Sequence, residues 1–309
     1  MKNLLDVESL SKEEIEDLLL LAENLKEILS RPIPKVPTLR GKLIALLFYE
    51  PSTRTRFSFE RAAKILSADT LTFTAKGTSI EKGESLLDTV KNLEALGTNL
   101  FVIRHPLCGV PHFLAKYINL PIINAGDGTH AHPTQALLDL MTVKEKLGTL
   151  SDLKVAIIGD IKHSRVAHSD ILAFQKMGSV VYVSGPGFLL PEPKEEEYFR
   201  LKPHSFKVCY NLKTALENAD IVIALRIQKE RHGKALLPSF QEYHEFFGLK
   251  PQHLGWIKEG ALLMHPGPIN WGVELDPELE KYPFQVILDQ VENGVAMRMA
   301  ILLRLLSGD

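Results

Sequence analysis

The chain of 309 residues carries 36 Lys and Arg against 38 Asp and Glu, with an isoelectric point near 6.6. This balance disfavours nucleic acid and anionic membranes as partners, because both usually select a basic excess. No apolar run approaches the ~20 residues of a membrane span. The leucine-rich run at 18–22 is flanked by Glu and Lys, so it predicts an amphipathic helix and not a signal peptide. The length suggests two domains.

The chain contains two cysteines, Cys108 and Cys209. Two cysteines cannot form a disulfide framework, and we expect both to be free, buried thiols. Free thiols are compatible with a reducing compartment, so we expect the protein to be cytoplasmic.

Short apolar runs alternate with helical patterns along the chain. The predicted strands are 43–50, 100–105, 154–160, 180–185, 220–227 and 261–267. Predicted helices between them include 53–66, 83–97 and 164–178. Continuous apolar runs are typical of strands that are buried on both faces. The sequence therefore predicts an α/β protein with mostly parallel sheets flanked by helices.

The predicted domain boundary follows the helical segment 132–148, because Gly148 can end that helix and a new strand begins near Lys154. We expect one domain over 1–149 and a second over 150–285. No strand follows the last helix, 286–309, which we expect to pack on the first domain. Ligands of open α/β sheets bind at the carboxyl ends of strands, so residues that follow a strand are the candidates.

Hydroxyl and guanidinium side chains crowd the end of the first predicted strand. The string STRTR occupies 52–56, where a helix begins with Ser52 as a suitable N-cap. A helix start offers unpaired amides and a positive dipole, which together favour an anion such as phosphate. A capped helix with surface arginines would show the same local pattern.

The longer string EPSTRTRFSFERAA strongly resembles the carbamoyl-phosphate signature of the aspartate and ornithine carbamoyltransferases. The resemblance covers nearly the whole chain. It implies two α/β domains with the active site between them, and a reaction that needs no metal and no cofactor. By the family pattern, the phosphate is held by Ser52, Thr53, Arg54 and Thr55, and Thr55 also lies near the carbonyl oxygen.

A second signature includes His132 and Gln135, within NAGDGTHAHPTQALLDL. The resemblance implies that Arg104, at the end of a predicted strand, contacts the carbonyl oxygen together with His132. Gln135 would contact the carbamoyl amino group. Carbamoyl transfer passes through a tetrahedral oxyanion, which requires such donors. We interpret His105 and His130 as structural. The H-A-H string could also suggest a metal site, but the sequence shows no carboxylate or cysteine partner for it.

The polar, glycine-containing segment 71–89 carries Ser79 and Lys82. By itself it is typical of a surface loop. It also resembles the family loop whose serine and lysine reach the active site of a neighbouring subunit, although Thr78 could take the role of Ser79. The resemblance therefore implies a homotrimer with shared active sites, acting alone or with a regulatory chain or a dihydroorotase.

The segment GDIKHSRVAHS follows a predicted strand, but only Gly159 of a dinucleotide fingerprint is present, which disfavours a dehydrogenase. Two arginines at strand ends, Arg165 and Arg226, suit a dicarboxylate, although each alone is more often a surface residue. GD-x-K-x-x-R and R-x-Q-x-E-R resemble the aspartate members of the family. The resemblance implies that aspartate is bound by Arg165, Arg226, Gln228 and Lys82.

The string MHPGP at 264–268 lacks the cysteine typical of ornithine members, and no S-M-G string is present. The carbonyls of Pro266 and Gly267 could accept from the amino groups of the substrates. One departure is the pair Asn270 and Trp271, where aspartate members commonly carry an arginine. The missing positive charge is expected to affect domain closure and the affinity for aspartate, but not the reaction itself.

The resemblance implies that the chain transfers a carbamoyl group from carbamoyl phosphate to L-aspartate. The products would be N-carbamoyl-L-aspartate and phosphate, in the second step of de novo pyrimidine biosynthesis. An ornithine enzyme, an enzyme for another amine and a non-catalytic phosphate-binding relative are the alternatives, and an acceptor panel separates them.

Overall fold

The structure is a computed structural model that describes residues 1–74, 85–227 and 239–307. Its contacts define two compact units, Met1–Met141 with Val291–Asp309, and Thr142–Gln290. Among the described residues, no helix combines the length and apolar content needed to cross a bilayer.

Helices and strands alternate along the chain. The helices are α1 Lys12–Lys26, α2 Thr53–Ile65, α3 Leu86–Ala95, α4 Val110–Ala115, α5 Pro133–Leu147, α6 Arg165–Lys176, α7 Pro193–Phe199, α8 Leu212–Leu216, α9 Phe240–Phe247 and α10 Ile287–Leu306. The strands are β1 Leu43–Phe48, β2 Asp69–Thr74, β3 Leu100–His105, β4 Ile122–Asp127, β5 Lys154–Ile158, β6 Val180–Ser184, β7 Phe206–Cys209, β8 Ile221–Ala224 and β9 Leu262–Met264. The unit boundaries fall inside α5 and α10.

The sheet of the first unit has the strand order β2-β1-β3-β4, with every pair parallel. Strands β1, β3 and β4 are almost wholly buried, as their continuous apolar runs predict. Leu47, Phe101 and Ile103 lie in the core on one side of this sheet.

An N-terminal residue covers the outer edge of β4. The amide of Leu4 donates to the carbonyl of Ile122 at 2.9 Å, and its carbonyl accepts from Asn124 at 2.8 Å. The Leu4 side chain is fully buried. The edge of β4 is therefore paired and not open to solvent along this stretch.

The second unit contains a five-stranded parallel sheet with the order β7-β6-β5-β8-β9. Buried side chains of β5 and β8, including Ile158 and Val222, pack with residues of α8 and with Leu263 of β9. The prediction of mostly parallel sheets flanked by helices is confirmed.

Two local predictions are resolved by the structure. Helix α5 ends at Leu147, and Gly148 follows it with a φ of 74°, as expected for a glycine after a helix. The prediction that both cysteines are buried is wrong for Cys108, which is exposed, whereas Cys209 is buried. Cys108 lies in the turn before α4 and not inside a strand, so the sheet does not cover it.

Candidate active site

Each sheet reverses its strand order at one position. In the first unit the reversal lies between β1 and β3, and in the second it lies between β5 and β8. The carboxyl ends of strands at such a reversal form the crevice in which open α/β sheets bind ligands. The predicted site residues follow these strands: 52–55 after β1, Arg104 at the end of β3, Arg165 after β5 and Arg226 after β8.

The predicted phosphate site is the start of α2. Ser52 occupies the N-cap position with extended backbone, but its side chain makes no capping hydrogen bond. Thr53 and Arg54 are exposed, and Thr55 is buried in the first turn. The protein packed around Arg54 lowers the pKa of its guanidinium, which stays cationic at neutral pH. An uncapped helix start with adjacent hydroxyls and a cation is suited to a phosphate group.

Arg104 connects its own strand, β3, with residues of the two neighbouring strands' segments. Its Nε lies 2.8 Å from Oε1 of Glu50, which follows β1. Its Nη1 donates to the carbonyl of Ala125 in β4 at 3.3 Å. Both residues of the ion pair are mostly buried. These contacts fix the plane of the guanidinium, and such fixed donors are what a developing oxyanion requires.

The turn between β4 and α5 is held by a buried hydrogen-bond network around Asp127. Its carboxylate accepts from Asn124 at 2.8 Å, from the amide of Gly109 at 2.6 Å and from the amide of Ala131 at 3.1 Å. Gly128 has a φ of 46°, and a Cβ there would lie 2.8 Å from the amide nitrogen of Cys108. The network and the glycine fix the segment that precedes His132.

His130 also belongs to this network, with Nδ1 at 3.0 Å from Oδ2 of Asp127. This hydrogen bond raises the pKa of His130 against the opposing effect of burial. Burial works to raise the pKa of Asp127, but the hydrogen bonds from His130 and Asn124 lower it overall. The interpretation of His130 as structural fits this pairing. Burial lowers the pKa of His105, whose Nδ1 accepts from the amide of Leu107.

The structure supplies a carboxylate that the sequence did not reveal for the H-A-H string. Ligand atoms of His112, Asp127 and His130 all lie within 4.8 Å of one another, close enough to hold a metal ion. His112 is already paired with Asp6 at 2.7 Å, and Asp127 accepts the hydrogen bonds described above. These pairings explain why the three side chains lie together without invoking a metal ion. His132 is not part of this cluster.

His132 and Gln135 stand at the start of α5, where both side chains are buried. The Nδ1 of His132 lies 3.4 Å from the hydroxyl of Thr134. The amide nitrogen of Gln135 donates to Asp139 one helical turn later, at 3.0 and 3.2 Å from its two oxygens. Both predicted residues therefore have fixed orientations.

In the second unit, Arg165 is the first residue of α6 and is only 4% exposed. Ser164 caps this helix by accepting from the amide of Ala167 at 3.2 Å. Gly159 has a φ of 134°, and a Cβ there would lie 3.0 Å from the Cβ of Leu225. The glycine therefore allows the segment before Arg165 to approach the segment before Arg226 closely.

A buried carboxylate holds the chain next to Arg226. Glu274 accepts from the amide of Ile227 at 2.7 Å and from the backbone and side chain of Asn270 at 2.9 and 2.7 Å. Burial raises the pKa of Glu274, and these hydrogen bonds oppose the rise. Asn270, noted from the sequence as a departure, thus has a structural role, while Trp271 is 39% exposed.

Pro266 and Gly267 follow β9 and are partly exposed. The amide of Gly267 donates to Nδ1 of buried His265 at 2.8 Å. The amide of His265 donates to Gln290 at 3.0 Å. The backbone whose carbonyls are predicted to meet the substrates is therefore anchored on both sides of Pro266.

Three predicted site residues, Ser79, Lys82 and Gln228, lie outside the described residues. Sequence reasoning missed the residues that orient the predicted ones, namely Glu50, Asp139 and Glu274. A buried carboxylate one helical turn from a candidate amide is a signal that could have identified Asp139.

These features define a two-domain α/β protein with polar and cationic groups at the strand-order reversal of each sheet. The family model described as the carbamoyl-P binding domain of aspartate/ornithine carbamoyltransferase matches residues 2–145, and the model described as the Asp/Orn binding domain matches residues 151–305. The chain belongs to the aspartate/ornithine carbamoyltransferase family.

Individual relatives agree with this assignment. The aspartate carbamoyltransferase catalytic subunit of Desulforapulum autotrophicum is 51% identical over 97% of this chain and 94% of its own. Aspartate transcarbamoylase of Trypanosoma cruzi, solved with carbamoyl phosphate and aspartate, has a TM-score of 0.88 at 28% identity, covering 98% of this chain and 96% of its own. Ornithine carbamoyltransferase of Pyrococcus furiosus has a TM-score of 0.89 at 28% identity, and the match covers 100% of this chain and 98% of its own.

Proposed function

We propose that this chain is an enzyme that transfers the carbamoyl group of carbamoyl phosphate to the α-amino group of L-aspartate. The products are N-carbamoyl-L-aspartate and phosphate, in the second step of de novo pyrimidine biosynthesis. The observation that carries this proposal is the placement of anion-binding side chains at the strand-order reversal of both sheets.

Carbamoyl phosphate is assigned to the first unit. Ser52, Thr53, Arg54 and Thr55 at the start of α2 bind the phosphate, where the helix dipole and amides favour negative charge. Arg104 and His132 donate to the carbonyl oxygen, together with the hydroxyl of Thr55. The Nδ1 of His132 lies beside the Thr134 hydroxyl, and we assign Thr134 as the donor, so that Nε2 of a neutral His132 carries the proton and can donate to the carbonyl oxygen.

The chemistry needs no protein nucleophile. The neutral amine attacks the carbonyl carbon, a C–N bond forms, and the oxyanion is stabilised by the donors above. The C–O bond to phosphate then breaks, phosphate leaves with the electron pair, and it accepts the proton released by the amine. Arg54 and Arg104 offset the growing negative charge on the leaving group.

L-Aspartate is assigned to the second unit. Arg165 and Arg226 follow the two strands that flank the strand-order reversal, and guanidinium groups bind carboxylates in a bidentate manner. Gln228 and Lys82 complete the proposed aspartate contacts. Ser79, Gln135 and the backbone carbonyls of Pro266 and Gly267 are assigned to carbamoyl phosphate. Residues 1–149 would then form the carbamoyl-phosphate domain and 150–285 the aspartate domain.

The family resemblance further supports a cytoplasmic homotrimer whose chains share active sites through Lys82 and Ser79. The trimer would act alone or with a regulatory chain or a dihydroorotase. Size measurement in solution tests whether the chain is a trimer. Mixing Lys82→Ala chains with Arg104→Ala chains tests whether active sites are shared, because mixed trimers should recover activity that neither parent has.

The fold alone does not select the acceptor, because the ornithine enzyme of P. furiosus is as similar as the aspartate enzyme of T. cruzi. The 51% identical relative and the absence of the ornithine strings support aspartate. The test is to supply carbamoyl phosphate with either amino acid and to measure phosphate release and carbamoylated product. Product with ornithine alone would reject the assignment.

A further inference from the structure

The direction of the Gln135 side chain is set by a second buried residue. Its amide nitrogen donates to both oxygens of Asp139, which is fully buried. A carboxylate only accepts, so the amide oxygen of Gln135 cannot face Asp139 without repulsion. The amide oxygen therefore points away from Asp139, as a hydrogen-bond acceptor.

Arg298 of α10 supplies the charge that accompanies Asp139. Its side chain is 3% exposed, and Nη1 donates to the hydroxyl of Ser58 at 3.0 Å and to the carbonyl of Gly294 at 2.9 Å. Burial lowers the pKa of Arg298 to about 10, an effect that the charge of Asp139 opposes. Arg298 is therefore cationic at neutral pH, and a nearby cation favours an ionised carboxylate.

The packing of α10 keeps this cation in place. The guanidinium of Arg298 lies over the ring of Phe59 at 5.1 Å, and Phe59 belongs to α2. A Cβ at Gly294 would lie 2.6 Å from Nη1 of Arg298 and 3.3 Å from Leu138 in α5. The glycine thus allows α10, which carries Arg298, to lie close to α5, which carries Asp139.

We infer that Asp139 and Arg298 are positioning residues that hold Gln135 as an acceptor and so make the site select a carbamoyl group over an acetyl group. The inference rests on the proposed function. The two groups have nearly the same size, but the carbamoyl NH2 donates a hydrogen bond and the methyl group does not. An amide oxygen of Gln135 held in this orientation accepts a hydrogen bond from the carbamoyl NH2 group. The same oxygen has no partner when a methyl group takes that place.

The test uses equilibrium binding to the full-length protein, without aspartate, of carbamoyl phosphate, acetyl phosphate and inorganic phosphate. The wild type should bind carbamoyl phosphate more tightly than acetyl phosphate. Asp139→Asn should reduce that ratio about tenfold, because asparagine can donate as well as accept and lets the Gln135 amide turn over. Binding of inorganic phosphate should stay the same, and the exposed control Asp17→Asn should leave the ratio unchanged.

A second variant covers the case in which Asp139→Asn does not fold. Gln135→Leu removes the acceptor itself and should abolish the preference while acetyl phosphate still binds. The double variant should be no less selective than Gln135→Leu, because Asp139 acts through Gln135. Equal weakening of both acyl phosphates in Asp139→Asn, or an unchanged ratio in Gln135→Leu, would overturn the inference. A wild type that prefers carbamoyl phosphate yet never carbamoylates aspartate would instead reject the proposed function.

Discussion

The Nε of Arg104 lies 2.8 Å from Oε1 of Glu50, so an ion pair joins the ends of β1 and β3 at the strand-order reversal of the first sheet. The same guanidinium reaches the carbonyl of Ala125. A planar fork can satisfy both contacts in one orientation, which a flexible ammonium group cannot reproduce.

We expect Arg104→Lys to lower kcat about a hundredfold, because the charge is kept while the fixed donor geometry at the oxyanion is lost. Steady-state kinetics with saturating aspartate measures the change. Arg61→Lys is the matched control, since Arg61 is exposed on α2. An unchanged kcat in Arg104→Lys would show that Arg104 contributes only charge.

The Glu274 carboxylate fixes the backbone beside Arg226. We expect Glu274→Gln to raise the KM for aspartate about tenfold, because an amide presents a donor toward the N–H groups of Ile227 and Asn270 and loses part of that network. The affinity for carbamoyl phosphate should be unchanged. Glu278→Gln, at an exposed position of the same segment, is the control. A parallel loss of both substrates would indicate general unfolding and not a local effect.

Trp271 stands near the position where aspartate members commonly carry an arginine. We expect Trp271→Arg to lower the KM for aspartate about fivefold, because an added cation attracts a substrate that carries two carboxylates. The gain should shrink at high salt, where surface charges are screened. Trp271→Gln removes the indole without adding charge and should show no salt-dependent gain. Equal behaviour of the two variants would contradict the electrostatic explanation.

The His130–Asp127 pair predicts a pH dependence of stability. The pKa of His130 is raised, so its contribution is complete below its ordinary value of 6.5 and is lost as the pH rises through the folded value. The pKa of Asp127 is lowered, so its contribution is present above 3.8 and is lost at more acidic pH. The pair therefore stabilises the fold most between these two values.

We expect His130→Gln to lower the free energy of unfolding more at pH 6 than at pH 8.5. The difference should be at most about 1 kcal/mol, because the histidine side chain is 35% exposed. Urea unfolding at both pH values and one fixed protein concentration measures it. A loss that is the same at both values would show that the pair acts only as a neutral hydrogen bond.

In the part of the chain that the structure describes, the sequence predicted the strands that read as continuous apolar runs, namely β1, β3, β5, β6, β8 and β9. β2 was missed because its sequence, DTLTFT, alternates polar residues at the sheet edge. β4 was missed because IINAGD leads directly into a glycine turn, and β7 because it is a four-residue edge strand. β2 and β7 carry exposed positions, so their apolar signal is weak, whereas β4 is fully buried and was missed because of its Asn, Gly and Asp residues.

The candidate site was predictable where a residue follows a strand or begins a helix, as Ser52, Arg104 and Arg165 do. The orienting groups were not predictable in the same way. Glu50 and Arg104 are far apart in sequence, as are Glu274 and Ile227, and only the folding of the chain brings each pair together. The interpretation of the H-A-H string also lacked Asp127 as a partner, since its side-chain direction depends on the β4 turn.

The pairing of Leu4 with β4 has a practical consequence for handling the protein. Removal of the first residues, by proteolysis or by design, would leave the N–H of Asn124 and the carbonyl of Ile122 unpaired on an otherwise apolar strand. Such an edge is a template for strand addition between molecules. A shortened chain would therefore lose colloidal stability during storage before it lost catalytic competence, and its light scattering would rise with protein concentration.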